Sequence, residues 1–265
     1  MEDDSSTVKG KRRHRFRNSH FHDREILLIF VAMNMEEQLM TVLQAYAKEE
    51  KRLHLPRFFK TGKGEYAEGD RFLGVVVPDI RAVAKRYGKA SFEELKPAIV
   101  SKWHEVRLCV LLILVLKSRQ GTEEEREDAY SFYLAHSAYV NNWDLVDLSA
   151  PTVVGEYLLG KSHEVLYRLA ESASLWDNRI AIVSTYAFIQ KHELDDTYAL
   201  AAKLMPHPHD LIHKAVGWML REAGKRDVQR LFSFVERYRR EMPRTMLRYA
   251  IEKFDEGQRS YLMRR

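Results

Sequence analysis

Five segments decide the fold: HEVRLCVLLIL (104–114), WDLVDLSAPTVV (143–154), WDNRIAIVSTYA (176–187), LIHKAVGWMLR (211–221) and PRTMLRYAIEKF (243–254). Each begins with polar residues, carries a central basic or polar position and runs on into an apolar helical stretch. With Arg107, Val146, Arg179, Lys214 and Arg248 as equivalent positions, the spacings are 39, 33, 35 and 34 residues. A period in the middle thirties with two helices per unit is the signature of a helical solenoid, because a single unit cannot bury its apolar face without its neighbours. Second helices fall between these segments at 164–171, 196–205 and 228–240. The breaks fall at Gly121, Gly160, Pro206 to Pro208 and Pro243, where turn chemistry is expected. An earlier, shorter unit fits Pro78 to Tyr87. The expectation is an all-α fold, a curved α-solenoid of about six antiparallel helix pairs, with one helix of each pair lining a concave binding face.

The composition agrees. Hydrophobic residues make up 45% of the 265, enough for a substantial core, and seven Pro with twelve Gly are too few for the tight turns of an all-β chain. One cysteine, Cys109, excludes an internal disulfide and a Cys-based zinc site, and its apolar surroundings read as core. The apolar run around it is well short of the roughly 20 residues needed to span a bilayer. A cytoplasmic monomer with no cofactor and no obligate protein partner is expected.

Residues 36–265 read as one solenoid domain, whose first amphipathic helix carries Leu39, Val42, Leu43 and Tyr46. Residues 1–35 read as a disordered, basic, His-rich leader, or as an over-extended start ahead of Met33 or Met35. The net charge of +5 is unevenly placed. Residues 1–24 hold seven Lys/Arg against four Asp/Glu, and residues 203–265 hold fifteen against eight. These segments therefore carry +3 and +7, which leaves −5 for the rest. A basic C-terminal quarter on a slightly acidic body points to a polyanionic partner, with a solvated helical surface as the alternative.

On the helix around 211–225, Ile212, Ala215, Val216, Met219, Leu220 and Ala223 form the core stripe. Lys214, Gly217, Trp218, Arg221 and Lys225 fall on the opposite side. Trp218 there either packs on a neighbouring helix or waits for a ligand among cations. Trp143 and Asp147 are an i, i+4 pair, so an indole and a carboxylate share one face of a segment that Pro151 keeps short or kinked. Asp144 reads as an N-cap or first-turn acid. Arg179 heads an apolar helix and needs an acceptor, either Asp144, Asp177 or an outside phosphate. Arg244 and Arg248 pair at i, i+4 as two further phosphate donors. Basic side chains with interleaved aromatics are the profile of a nucleic-acid binder.

WDLVD followed by LSAP, then LWDNRIAI, then HKAVGWMLRE, with FFKTGKGEY and FLGVVVP earlier, resembles the AlkD family of HEAT-like-repeat alkylpurine DNA glycosylases over about residues 39 to 255. The resemblance implies removal of cationic alkylated purines, such as 3-methyladenine and 7-methylguanine, from duplex DNA. It implies Asp147 as the catalytic carboxylate, Trp143 and Trp218 as the tryptophans that embrace the damaged nucleotide's backbone, and Arg179 as a phosphate ligand. Phe58 matches a family tyrosine but lacks the hydroxyl. The loop from Thr61 to Arg71 is longer than in the best-known members, and residues 1–35 have no counterpart. The family is associated with holding the backbone without enclosing the base, which suits an open groove with no deep pocket.

Such chemistry suits the residues. A purine alkylated at N3 or N7 is already cationic and leaves readily, so what needs stabilising is the positive charge developing on the sugar. One carboxylate suffices, and indole faces add to it. Three readings remain open at this point: a monofunctional glycosylase, a non-catalytic binder of duplex or branched DNA in the same groove, and a protein-interaction scaffold.

Overall fold

In the computed structural model, residues 32–264 are described; the basic leader proposed for 1–35 lies almost wholly outside them. The first helix, α1 (Met35–Gln44), starts at Asn34 with a reciprocal capping box to Glu37 and buries Leu39 and Leu43 completely. It is followed by α2 (Glu49–Phe58), α3 (Val77–Arg86), α4 (Phe92–Ile99), α5 (His104–Gln120) and α6 (Glu123–Ala135). Then come α7 (Trp143–Asp147), a π-helical turn (Pro151–Glu156), α8 (Glu164–Glu171), α9 (Leu175–Ser184) and α10 (Tyr186–Gln190). The chain closes with α11 (Asp195–Leu204), α12 (Asp210–Gly224), α13 (Val228–Tyr238), α14 (Arg244–Ala250) and α15 (Glu256–Met263). Among the described residues there is no strand, only an isolated bridge between Arg71 and Trp103. None of their helices is long and apolar enough to cross a membrane.

The packing is solenoid-like, as the repeat requires. One row runs α5, α7, α9, α12, α14, each touching the next, and contains every one of the equivalent positions read from the sequence. A second row of α6, α8, α11 and α13 packs on it from outside. The central helix α5 is apolar on nearly all sides because α3, α4, α6 and α1 surround it. Cys109 is buried there, and burial pushes its thiol up to about 12, so it is packing material and not a nucleophile.

Two glycines set the inner spacing. A Cβ on Gly217 would meet Tyr249 Cβ at 2.5 Å and the Met246 carbonyl at 2.6 Å, so α12 and α14 approach through it. A Cβ on Gly155 in the π-helical turn would collide with the Ser184 carbonyl of α9 and meet Ala187 Cβ of α10 at 2.9 Å. The core stripe read for α12 is fully buried. Its opposite side is not a free face, since α14 covers Gly217 there.

Candidate active site

Asn142 caps α7, its side-chain oxygen accepting from the Trp143 N–H at 2.8 Å. The helix ends after five residues, as Pro151 implies, and Trp143 and Asp147 project from one side of it. Beneath them lies a buried chain of charged groups. Asp144 accepts from the Leu145 N–H with one oxygen and meets His104 Nε2 at 2.8 Å with the other. His104 Nδ1 reaches Asp70 at 3.2 Å, and Arg107 donates to Asp70 at 2.7 Å and to Asn141 at 3.0 Å. Burial opposes the charged imidazole, but Asp144 and Asp70 outweigh it and raise His104 to about 9. An imidazolium at the start of α5, donating from both nitrogens, therefore ties α7 to the loop between α2 and α3. Phe59 and Phe72 flank its ring at 4.9 and 4.6 Å.

Asp147 is gripped by Arg179, whose Nε and Nη2 donate to its two oxygens at 2.9 and 2.8 Å. The third donor, Nη1, goes to the Leu211 carbonyl at 2.6 Å. The sequence reading left a carboxylate such as Asp144 or Asp177, or an outside phosphate, as the acceptor; the carboxylate is that of Asp147. Arg179 is buried and its fork is filled from within the protein, so it holds the carboxylate in place. Burial raises the Asp147 carboxyl above its ordinary range; Arg179 pulls it down, and neighbouring Asp144 adds to the rise.

Aromatic rings surround this pair. Trp143 stacks on Phe59 at 5.3 Å and meets Phe58 edge-on at 5.8 Å, with Phe58 exposed. Trp218 is half-buried and lies 6.2 Å from Tyr186, so it packs on a neighbour and keeps part of its surface exposed. An apolar recess of about 470 Å³ opens beside Asp147, lined by Phe58, Phe59, Phe72, Val75 and Trp143 among others. A groove without a deep pocket was expected; the hollow lies between the 72–78 segment and α7. Glu105 holds that segment, accepting from the N–H groups of Leu73, Gly74 and Val75 at 2.9, 2.8 and 3.2 Å.

The expected cations are mostly partnered. Lys214 meets Asp210 at 2.8 Å and Lys225 meets Glu222 at 2.6 Å. Arg221 pairs with Glu252, and Arg244 donates to the Met263 carbonyl at 2.9 Å. Arg248 is exposed. Where both partners are exposed, as in Lys214 and Asp210, an ion pair is worth ~0–1 kcal/mol. His104, Asp70, Tyr66, Trp176 and His209 escaped sequence reading, since the partners of each are at least 32 residues away along the chain except where a contact is local. Among the described residues, no group of three or more His, Cys, Asp or Glu is arranged to hold a metal ion.

A family model described as DNA alkylation repair enzyme matches residues 39–254. The chain belongs to that family. Comparison with curated proteins gives no match. Among solved structures, a predicted DNA alkylation repair enzyme from Enterococcus faecalis superposes with a TM-score of 0.61 at 16% identity, over 79% of this chain and 97% of that one. At that identity the likeness is one of fold. The family match runs from within α1 to just past the end of α14. In this member of the DNA alkylation repair enzyme family, the ion pair of Asp147 and Arg179 sits where three successive inner helices, α7, α9 and α12, come together.

Proposed function

We propose that this protein is a monofunctional DNA glycosylase that releases cationic alkylated purines of the 3-methyladenine and 7-methylguanine type from duplex DNA. The observation that carries this reading is the Asp147 carboxylate, held rigidly by Arg179 one turn from Trp143 and beside an open recess. A fixed negative charge needs no reorganisation as positive charge grows on the sugar, and a partly buried setting strengthens its effect. The C1′–N bond breaks with its electron pair passing to the purine, which neutralises the base. Water then attacks C1′ and gives up a proton, for which the carboxylate is the near acceptor. Trp143 and Trp218 offer π faces to the same developing cation, while Lys214, Arg221, Lys225 and Arg244 exchange their present partners for phosphates along the duplex and the exposed Arg248 takes a phosphate directly.

A second reading, duplex binding without base release, draws support from the same ion pair. Arg179 compensates the Asp147 charge, and a carboxylate so compensated can be purely structural. Incubation of the protein with duplex containing 7-methylguanine, with free base as the readout, separates the two. Release above the spontaneous rate supports the glycosylase; normal binding with no release supports the binder.

A further inference from the structure

His104 is a buried titratable group that the base-release steps leave unused. It lines the recess beside Asp147, but both of its ring nitrogens are taken up, Nε2 by Asp144 at 2.8 Å and Nδ1 by Asp70 at 3.2 Å. Only an imidazolium donates from both edges of a flat ring; a neutral ring turns a lone pair towards one of the two carboxylates. The charged groups that face it are Asp70 from the loop between α2 and α3, Asp144 from α7 and Arg107 from α5 itself. Neighbouring Glu105 is engaged by the N–H groups of residues 73–75, and Asp147, the remaining carboxylate of the recess, is held by Arg179.

These contacts bear on how α7 lies. It is a helix of only five residues, too short for its own backbone bonds to set its direction. Asp144 and Asp147 stand three residues apart on it and so share a side. Asp144 is tied to α5 through His104, and Asp147 to α9 through Arg179. One anchor would leave a short rod free to swing; two anchors on different neighbours fix it. The far end of the His104 bridge is itself braced, since Arg107 donates to Asp70 at 2.7 Å. Trp143 leans on the same group, because Phe59 stacks on the indole at 5.3 Å and lies 4.9 Å from the His104 ring.

We propose that His104 is a positioning residue for base release: its charged ring pins the first turn of α7 as Arg179 pins the second, and the two together hold Asp147 in its working attitude. This inference rests on the glycosylase reading. Electrostatics alone gives the opposite sign. An Asp144 stripped of its counter-charge adds negative potential beside Asp147 and should favour a growing cation on the sugar, whereas a loosened α7 should slow release.

The test measures single-turnover release of 7-methylguanine from duplex at saturating protein, by the unmutated protein and His104→Gln, from about pH 6.5 to about 9.5. At the lower end the variant should be about 10- to 100-fold slower, in line with the cost of a small misplacement near reacting atoms, with duplex affinity within about 2-fold. The ratio of the two rates, in which titration of the lesion itself cancels, should narrow as pH rises through about 9, where the unmutated protein loses the charge that the variant never had. Asp144→Asn keeps the shape and the bond from the Leu145 N–H, should slow release in the same direction, and serves if His104→Gln does not fold by circular dichroism. Equal or faster release by a folded variant overturns the inference, as does a rate ratio that stays constant across the interval. A slowing that vanishes at higher protein concentration also overturns it, since binding and not positioning would then be at fault. No release by the unmutated protein instead sinks the glycosylase reading itself, taking this inference with it.

Discussion

Arg179 donates to both oxygens of Asp147 and gives its remaining amino group to the Leu211 carbonyl, so one guanidinium ties α7, α9 and the start of α12 together. The pair is well shielded, with side-chain exposures of 6% for Arg179 and 17% for Asp147. Chemistry and stability therefore meet in the same contact.

Asp147→Asn should lower stability as well as activity. The amide keeps the shape but leaves the shielded guanidinium without its counter-charge, which should cost about 2–4 kcal/mol of unfolding free energy, at or just below the range for breaking a buried pair. Base release should slow by about 10²–10³ if the electrostatic contribution resembles that of other preorganised contacts. Denaturant unfolding and single-turnover release check the two parts separately. A variant of normal stability and normal rate would remove Asp147 from both roles.

Stability should fall at alkaline pH through His104. Its folded value, about 9, lies above the ordinary 6.5, so the stabilisation from its charged form is complete below 6.5 and is lost as pH rises through about 9. The gap corresponds to an upper bound of about 3 kcal/mol at 1.36 kcal/mol per unit. Melting temperature followed between those two pH values should decline in the unmutated protein, while His104→Gln should start lower and stay flat over the interval.

Phosphate contacts should differ according to present partners. Arg248, exposed on α14, should lose duplex affinity on replacement by Ala with little dependence on sequence, and the salt slope should shrink by about 1. Arg221→Ala should have a smaller effect, because Glu252 already compensates its charge and a phosphate contact would cost that pair. Fluorescence anisotropy across a salt series distinguishes them; equal effects would mean that the Glu252 pair does not persist on DNA.

Gly217→Ala should destabilise the C-terminal end of the stack. The added methyl meets Tyr249 Cβ and the Met246 carbonyl within 2.6 Å, and neither belongs to the far end of a flexible side chain. Overpacking of this kind costs about 1–3 kcal/mol. An unchanged denaturation midpoint would show that α14 shifts freely, and the inner row would then be looser than its close contacts indicate.

Much of the architecture is carried by the sequence alone. The apolar runs recur at a helical-repeat period, Gly160 and Pro243 mark turns, and the core stripe of α12 follows from its periodicity, because each of these is a local property of consecutive residues. The Trp143 and Asp147 face was legible for the same reason, being an i, i+4 relation within one helix. What only the tertiary structure decided is who meets whom between repeats. Arg179 had several carboxylates within reach of any reasonable reading, and the choice of Asp147 depends on how α7 and α9 are set side by side. His104, Asp70 and Asp144 come from three separate segments, and Tyr66 reaches Trp176 across 110 residues of chain. Periodicity specifies which face of a helix is buried, but the angle and offset between stacked helices arise from side-chain packing at every interface, and those angles determine which distant polar groups come within hydrogen-bond distance.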